Sequence, residues 1–269
     1  MRRRAVALAV TALLAVAGTA AAAEPLPEVL VLAGSASKPV LEEAVPRIRR
    51  DLGIRVLLDL GGSGSLLSRL ELTHRGDIYL PGSQDFLARA VTRRMVDPAT
   101  RVDFAYLVPA LLVRKGNPKG IEGLEDLARP EVRAAIAEPR TVCVGLYARE
   151  ILRRAAVPSS VQARLGRARS CAATANLLAL GSVDAILGWR VFAAWFPGRM
   201  EVVPLPPELI TRVATIPGAV TTFASHPEAA RRVLAWLASP AGKSLWREHG
   251  YIVNRGRLRT LAPGASVGH

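Results

Sequence analysis

Two short runs rich in glycine and serine, 33–39 and 61–65, each lie between an apolar strand pattern and a stretch with helical spacing. A turn from a strand into a helix leaves the first NH groups of the helix unpaired, and with the helix dipole they favour a negatively charged oxygen ligand. Serine adds a hydroxyl donor, and glycine lets a ligand approach the backbone. Alternatively, Ser35, Ser37 and Ser63 only cap their own helices. Because the pattern occurs twice, we predict a shared anionic ligand.

The N-terminus has the pattern of an export signal. An arginine-rich start is followed by an apolar run at 5–17 and by the small residues Ala21-Ala22-Ala23. The apolar run is shorter than the about 20 residues that a membrane span needs. No cysteine lies at the expected cleavage site to carry a lipid anchor. We predict a signal peptide at 1–23, cleavage near Ala23 and a periplasmic location.

Charge and length limit the possible functions only broadly. The 269-residue chain has a formal net charge of +14, which favours anionic partners of several kinds. We find no aromatic platform or basic tract typical of nucleic-acid readers, so no nucleic-acid partner is predicted. The length fits one large domain or two lobes of about 100 residues each.

Strand-like and helix-like stretches alternate in the first part of the chain. The predicted strands are 29–32, 54–58 and 78–80, and the predicted helices are 40–51, 66–72 and 84–93. This alternation is typical of a parallel sheet with helices on both faces. The long apolar run Phe104–Arg114 predicts a strand that leaves this first lobe, and Val213–Phe223 predicts the returning strand.

A second lobe is predicted between these two runs. Its predicted elements are a strand at 141–144 turning at Gly145 into a helix at 146–156, a helix at 172–180 after Ser170-Cys171, and a strand at 183–187 turning at Gly188-Trp189. Helices at 227–238 and 240–248 are expected to pack on the first lobe. We therefore predict an α/β fold with lobe 1 at 24–108 and 217–269 and lobe 2 at 109–216. An anion site is expected in the cleft between the lobes.

Six short motifs, spread in order over nearly the whole predicted mature chain, resemble those of one family, the periplasmic molybdate- and tungstate-binding proteins of ABC importers. They are Ala33-Gly34-Ser35 with Lys38-Pro39 and Glu42-Glu43, Ser63-Gly64-Ser65-Leu66, Gly76-Asp77-Ile78, Val113-Arg114-Lys115-Gly116-Asn117-Pro118, Val144-Gly145-Leu146-Tyr147-Ala148, and Ser239-Pro240-Ala241-Gly242.

The resemblance implies a fold and a role. The fold would be that of a type II periplasmic binding protein, in which two mainly parallel sheets flanked by helices are joined by two crossing strands. The role would be capture of a tetrahedral oxyanion, molybdate or tungstate, for the permease and ATPase of an importer. A monomer without a cofactor is expected, and it would meet the membrane only through the permease. The metal would be held as its oxyanion, with no direct side-chain coordination.

The resemblance also implies site residues. One serine in each of the first two turns would donate to the oxyanion, and these positions fall on Ser35 and Ser63, with Ser37 as a reserve donor in the first turn. In the second lobe, the backbone NH groups of Val144 and Cys171 would donate as well. Trp189 stands where the family has a tyrosine, and its indole NH is also a donor.

These groups are all donors, with no carboxylate or histidine to accept a proton from the ligand. Such a site suits a fully deprotonated oxyanion, so molybdate, tungstate and sulfate fit better than phosphate. Two alternatives stay open: a binding protein or sensor for another anion such as sulfate, and an enzyme on the same fold acting on a small anionic substrate. Because no paired nucleophile and base is visible in the sequence, we do not expect an enzyme.

Cys143 and Cys171 are the two cysteines of the chain. An exported protein meets an oxidising compartment, and the resemblance places both residues beside the same small anion. We therefore expect a disulfide between them, and the competing interpretation is two buried thiols beside the pocket.

Overall fold

The computed structural model describes residues 26–267, so the predicted signal peptide lies outside the described residues. The strands are β1 (Glu28–Gly34), β2 (Arg55–Gly61), β3 (Ile78–Leu80), β4 (Val102–Leu107), β5 (Pro109–Arg114), β6 (Ala134–Ala137), β7 (Gly166–Ala168), β8 (Ala185–Trp189), β9 (Met200–Val203), β10 (Arg212–Val220) and β11 (Ser266–Val267). The helices are α1 (Lys38–Leu52), α2 (Ser63–Thr73), α3 (Gln84–Thr92), α4 (Cys143–Arg154), α5 (Ser159–Arg164), α6 (Cys171–Ala179), α7 (Phe192–Trp195), α8 (Pro227–Ala238), α9 (Pro240–Glu248) and α10 (Arg255–Leu261). Over 26–267, no helix combines the length and the apolar character that crossing a membrane requires.

The strands form two mixed sheets. In the first, the order is β11-β10-β3-β1-β2, and β4 pairs with β10. The central strand β1 is parallel to β2 and β3, whereas β10 is antiparallel to β3 and β4. In the second, the order is β7-β6-β8-β5-β9, with β6 parallel to its neighbours and β5 antiparallel to its own. The predicted α/β class with two sheets flanked by helices is confirmed. The second sheet is not mainly parallel as predicted, because β5 runs antiparallel to both of its neighbours.

The chain passes from the first sheet to the second at Val108. The predicted long strand Phe104–Arg114 is divided there into β4 and β5, and the carbonyl of Val108 accepts the NH of Arg190 at 2.9 Å. The predicted return strand is found as β10, and all the pairs of β10 within 26–267 lie in the first sheet. The predicted lobe division at 216/217 falls inside β10, where the register shifts because Pro217 has no NH for the ladder. The lobe boundaries stay a prediction.

Two predicted elements of the second half are wrong. Residues 141–144 are not a strand: the strand is β6, and helix α4 already begins at Cys143. The segment between them turns because Pro139 lacks an NH and because the Thr141 carbonyl accepts the NH of Gly64 at 2.7 Å instead of joining a ladder. Gly188-Trp189 is not a turn either, since both residues pair with β5 inside β8.

Proline and glycine mark the bounds of helices α1, α8 and α9. Helices α8 and α9 have the predicted bounds, and each begins with a proline in its first turn, where the missing NH costs nothing. Helix α1 likewise starts beside Pro39 and ends at Gly53, whose φ of 65° is left-handed. Its apolar residues recur at helical spacing and are buried against the first sheet. This packing fixes the turn that carries Ser35.

Asp77 is a buried carboxylate that ties β1 to the loop before α8. One oxygen accepts the NH of Leu30 at 2.8 Å, and the other accepts the NH groups of Ser225 at 2.7 Å and His226 at 3.3 Å. The residue is 5% exposed, so water replaces none of these bonds easily. Loss of the carboxylate would leave buried donors without partners.

We expect Asp77→Ala to lower the free energy of unfolding by about 3 kcal/mol or more, because three NH groups lose their acceptor and each stranded donor costs about 1–3 kcal/mol. Urea unfolding followed by circular dichroism measures this change. The control Asp103→Ala removes an exposed carboxylate that pairs with Arg101 two residues away, and it should cost less than about 0.5 kcal/mol. Equal losses in the two variants would contradict the role of Asp77.

Candidate functional site

The candidate site lies where the turns after β1 and β2 meet the first residues of α4 and α6. We use first half and second half for the parts of the structure built on the first and on the second sheet. The hydroxyl of Ser35, after β1, accepts the NH of Ala172 in α6 at 3.1 Å, and this bond joins the two halves. We use the term cleft site for seven residues. Six are the predicted site residues Ser35, Ser37, Ser63, Val144, Cys171 and Trp189, and the seventh is Cys143. Each of these residues is at most 4% exposed.

The two predicted serine donors share one arrangement. Ser63 accepts the NH of Gly82 at 3.0 Å through its hydroxyl oxygen, as Ser35 accepts the NH of Ala172. A hydroxyl has one proton to donate and two lone pairs that accept. Each oxygen already receives a backbone NH, and each hydroxyl also carries a proton that it can donate. The two serines are therefore set up to donate.

Several polar atoms of the region are buried without a protein partner. Within 26–267, the Ser37 hydroxyl, the Ser83 hydroxyl and the indole nitrogen of Trp189 have no hydrogen-bond partner. An unpaired polar group in the interior is costly, and such groups are satisfied by ordered water or by a polar ligand. Within 26–267, the cleft site therefore contains two buried polar side chains, Ser37 and Trp189, whose polar atoms have no protein partner.

Cys143 and Cys171 are free thiols whose Sγ atoms lie 3.5 Å apart. A disulfide requires about 2.05 Å, so the expected bridge is absent and that expectation is wrong for this structure. The thiols are the first residues of α4 and α6, and both side chains are buried, at 1% and 2% exposure.

The surroundings shift the pKa values of the two thiols in opposite directions. Burial raises the pKa of Cys143, but the thiol of Cys171 and the nearby donor groups of Ser63, Trp189 and Val144 outweigh it, so the pKa lies below the ordinary value. Burial raises the pKa of Cys171, and the hydrogen bond and negative charge of Cys143 raise it further. The pair therefore holds one proton between its sulfurs more readily than it loses both. The sulfur of Cys143 therefore lies near several groups that can donate a hydrogen bond.

Glycine allows the two halves to approach closely. A Cβ on Gly62 would lie 2.8 Å from the carbonyl oxygen of Arg169 and 2.9 Å from that of Thr141, both across the cleft. A Cβ on Gly82 would lie 2.5 Å from the sulfur of Cys143. Any side chain at these two positions would push the halves apart.

A polar cluster borders the cleft site and also joins the halves. Arg212 at the start of β10 bonds Asp85 of α3 at 2.6 Å and holds both oxygens of Glu150 of α4, at 2.7 and 2.8 Å. Its guanidinium lies 4.1 Å above the ring of Tyr147, whose other neighbour is Trp189 with ring centroids 5.0 Å apart. Burial lowers the pKa of Arg212, but Glu150, Tyr147 and Asp85 outweigh it and raise the pKa. The cation stays charged and sets the position of the ring beside Trp189.

The structure brings most of the predicted site residues together. Ser35 meets the start of α6, and Ser63 meets Cys143 through Gly82. Val144 and Trp189 approach the thiols closely enough to alter their pKa values. Ser37 is buried nearby in the 3-10 helix Ser35–Ser37, with no contact that assigns it a partner. The roles of these residues toward a ligand stay predictions.

Sequence reasoning missed part of the site. Gly82-Ser83 follows β3 and precedes α3, so it repeats the strand, glycine, serine and helix pattern of the first two turns. That signal was available in the sequence. The NH of Ala172 and the central position of Cys143 gave no such signal, because they depend on how α4 and α6 face the first sheet.

The site contains no obvious place for a protein-bound metal. Within 26–267, no group of three or more His, Cys, Asp or Glu residues is close enough to hold a metal ion. The hydrogen-bond partners of the cleft site within this part of the chain include no carboxylate, no imidazole and no Arg or Lys side chain. The groups of the cleft site that could face a ligand are neutral, and several of them can donate a hydrogen bond.

Comparison with known proteins gives a family and several distant relatives. The family described as "Bacterial extracellular solute-binding protein" matches residues 29–252. A putative binding protein of Haemophilus influenzae is 23% identical over 229 residues, covering 84% of this chain and 91% of the relative. An aconitate isomerase of Pseudomonas sp is 27% identical over 244 residues, with coverages of 86% and 90%. The molybdate-binding protein ModA of Escherichia coli is 22% identical over 245 residues, with coverages of 89% and 93%.

Solved structures share the fold. The periplasmic molybdate-binding protein of Azotobacter vinelandii superposes with a TM-score of 0.72 at 17% identity, covering 84% of this chain and 99% of its own. The sulfate-binding protein SubI of Mycobacterium tuberculosis superposes with a TM-score of 0.71 at 20% identity, with coverages of 90% and 93%. The predicted type II binding-protein fold is therefore confirmed.

Because both thiols are buried, we predict that they react slowly in the native protein. With a chromogenic disulfide reagent, the denatured protein purified under reducing conditions should show two thiols. The native protein should react at least about tenfold more slowly, because the reagent needs an exposed thiolate. Absorbance stopped-flow measures both rates. Two rapidly reacting thiols in the native protein would contradict the burial seen here.

Proposed function

This chain belongs to the bacterial extracellular solute-binding protein family, and on that basis we propose that it captures molybdate or tungstate outside the cytoplasm and delivers it to an ABC importer. The partners would be the permease and ATPase of that importer. A periplasmic location follows from the same proposal and agrees with the export signal predicted at 1–23.

One observation carries the proposal: the cleft site brings buried, neutral donor groups from both halves together. The hydroxyls of Ser35 and Ser63 belong to the first half, and each already accepts a backbone NH. The second half contributes the NH of Val144 in the first turn of α4 and the buried indole NH of Trp189, which has no partner among the described residues. A fully deprotonated oxyanion accepts from every side, so it satisfies all of these donors.

The ligand class follows from what the site lacks. A hydrogen phosphate ion carries a proton near neutral pH and needs an acceptor, and no carboxylate or imidazole contacts the cleft site within 26–267. Molybdate, tungstate and sulfate carry no proton there. Sulfate is the smaller anion and stays an alternative ligand, favoured by the likeness of the fold to a sulfate-binding protein.

An enzyme is the second candidate, and the aconitate isomerase relative is the observation that favours it. A tricarboxylate carries three negative charges, which proteins usually match with cations such as arginine. Because no Arg or Lys side chain hydrogen-bonds to the cleft site within 26–267, this candidate ranks below oxyanion capture.

Ligand choice is tested by titration calorimetry with molybdate, tungstate, sulfate, phosphate and aconitate on the reduced protein. We expect molybdate or tungstate to bind most tightly. Ser63→Ala should weaken that binding about 10- to 100-fold, because a hydrogen bond to a charged group contributes about 1.5–3 kcal/mol. The control Ser65→Ala changes an exposed serine of the same helix and should leave binding unchanged. Tight binding of phosphate, or of no oxyanion, would overturn the proposal.

Closure of the two halves is tested at Gly62. We expect Gly62→Ala to weaken oxyanion binding by at least about tenfold, since its methyl group would meet two carbonyl oxygens across the cleft only when the halves are closed. X-ray scattering should give a larger radius of gyration for the ligand-saturated variant than for the wild type. The control Gly61→Ala places its methyl group against Leu66 of the same half, at 3.3 Å, and should close normally. Normal closure of both variants would contradict the role of Gly62.

A further inference from the structure

The spacing of the two thiols points to a ligand that neither the family nor the oxyanion proposal requires. Consider a single atom bonded to both sulfurs through bonds of about 2.3 Å, the usual zinc–thiolate length. With the sulfurs of Cys143 and Cys171 at their observed separation, the S–atom–S angle would be about 100°. A linear centre with the same bonds would need about 4.6 Å between the sulfurs. The observed 3.5 Å therefore fits a pyramidal or tetrahedral centre.

The surroundings decide between these two geometries. A tetrahedral metal such as zinc takes three or four protein ligands, and no third Cys, His, Asp or Glu joins the thiols within 26–267. The same buried site contains donors instead: the Ser63 hydroxyl, the Val144 NH next to Cys143 in the first turn of α4, and the Trp189 indole NH, which has no partner within 26–267. A pyramidal centre that is bonded to two sulfurs and keeps one oxygen would place that oxygen among them.

We propose that the reduced pair of Cys143 and Cys171 binds a trivalent oxyacid of group 15, arsenite or antimonite, as a cyclic dithiol adduct. Arsenic enters as As(OH)₃. Two As–O bonds and both S–H bonds break, two As–S bonds form, and the thiol protons leave with the two hydroxyl groups as two water molecules. The third hydroxyl stays on arsenic, and no atom changes its oxidation state, so no oxidant or reductant is needed.

The fold preorganises this chelate. The thiols are 28 positions apart in sequence and meet only because α4 and α6 both begin at the cleft. In the unfolded chain the two thiols are linked by a flexible segment. The effective concentration of the second thiol near the bound arsenic is then much lower, so the second As–S bond is less favourable. Their burial in the closed protein, at 1% and 2% exposure, means that the oxyacid enters when the halves separate.

The test uses full-length mature protein, reduced and freed of reductant, with sodium arsenite as the probe. Intact mass spectrometry should show one arsenic per chain, with the mass of an AsOH group replacing two hydrogens. Thiol counting after rapid denaturation should fall from two towards none. Cys143→Ser and Cys171→Ser should each weaken arsenite binding by about 100-fold or more, because a single thiol forms no chelate. Ser65→Ala serves as the control and should bind as the wild type does.

Two further measurements keep the test independent of folding and of the proposed function. Circular dichroism shows whether each cysteine variant folds, and urea-unfolded wild type should bind arsenite at least about tenfold more weakly than the native protein. Neither readout requires that molybdate bind. Both thiols remaining titratable at saturating arsenite, an adduct that survives either cysteine substitution, or equal binding by the native and unfolded protein would each overturn the proposal.

Discussion

The hydrogen bond from the Ala172 NH to the Ser35 hydroxyl is the contact on which the organisation of the site depends. It joins the first turn of α6, which packs on the second sheet, to the turn after β1 in the first. The first NH groups of a helix have no partner within the helix, so they form hydrogen bonds with an acceptor outside it. Here one NH is used to orient a serine hydroxyl, and that hydroxyl proton becomes available to a ligand. The second half thus prepares a donor that belongs to the first.

The use of backbone NH groups and hydroxyls also explains why, within 26–267, no charged side chain hydrogen-bonds to the cleft site. Helix starts, hydroxyls and an indole NH supply partial positive charge, and a buried arginine or lysine would need a permanent counter-charge when no ligand is bound. Arg212, a cation near the site, has such partners in Asp85 and Glu150 and lies over the ring of Tyr147. Its positive charge stays outside the cleft site.

The thiols give this site a character that oxyanion capture does not need. Cys143 lies near the donor groups of Ser63, Trp189 and Val144, which help to hold its pKa below the ordinary value and would also suit an oxyanion. An anion and a thiolate there would compete for the same donors. Whichever of them is present, the site offers hydrogen bonds from the same atoms, because these atoms are fixed by two sheets and three helix starts.

The sequence by itself determined the local elements: the alternation of strands and helices, the turns at Ser35 and Ser63, and helices α8 and α9, since apolar spacing, proline and glycine act over a few residues. It also gave the family through motifs spread along the chain. It failed at 141–144, where apolar residues read as a strand, because Thr141 bonds Gly64 of the other half. Only the tertiary structure decided that Cys143 faces Cys171 as a free thiol and that Ala172 donates to Ser35. Those contacts join residues 28 and 137 positions apart, and no local pattern specifies the distance between such residues.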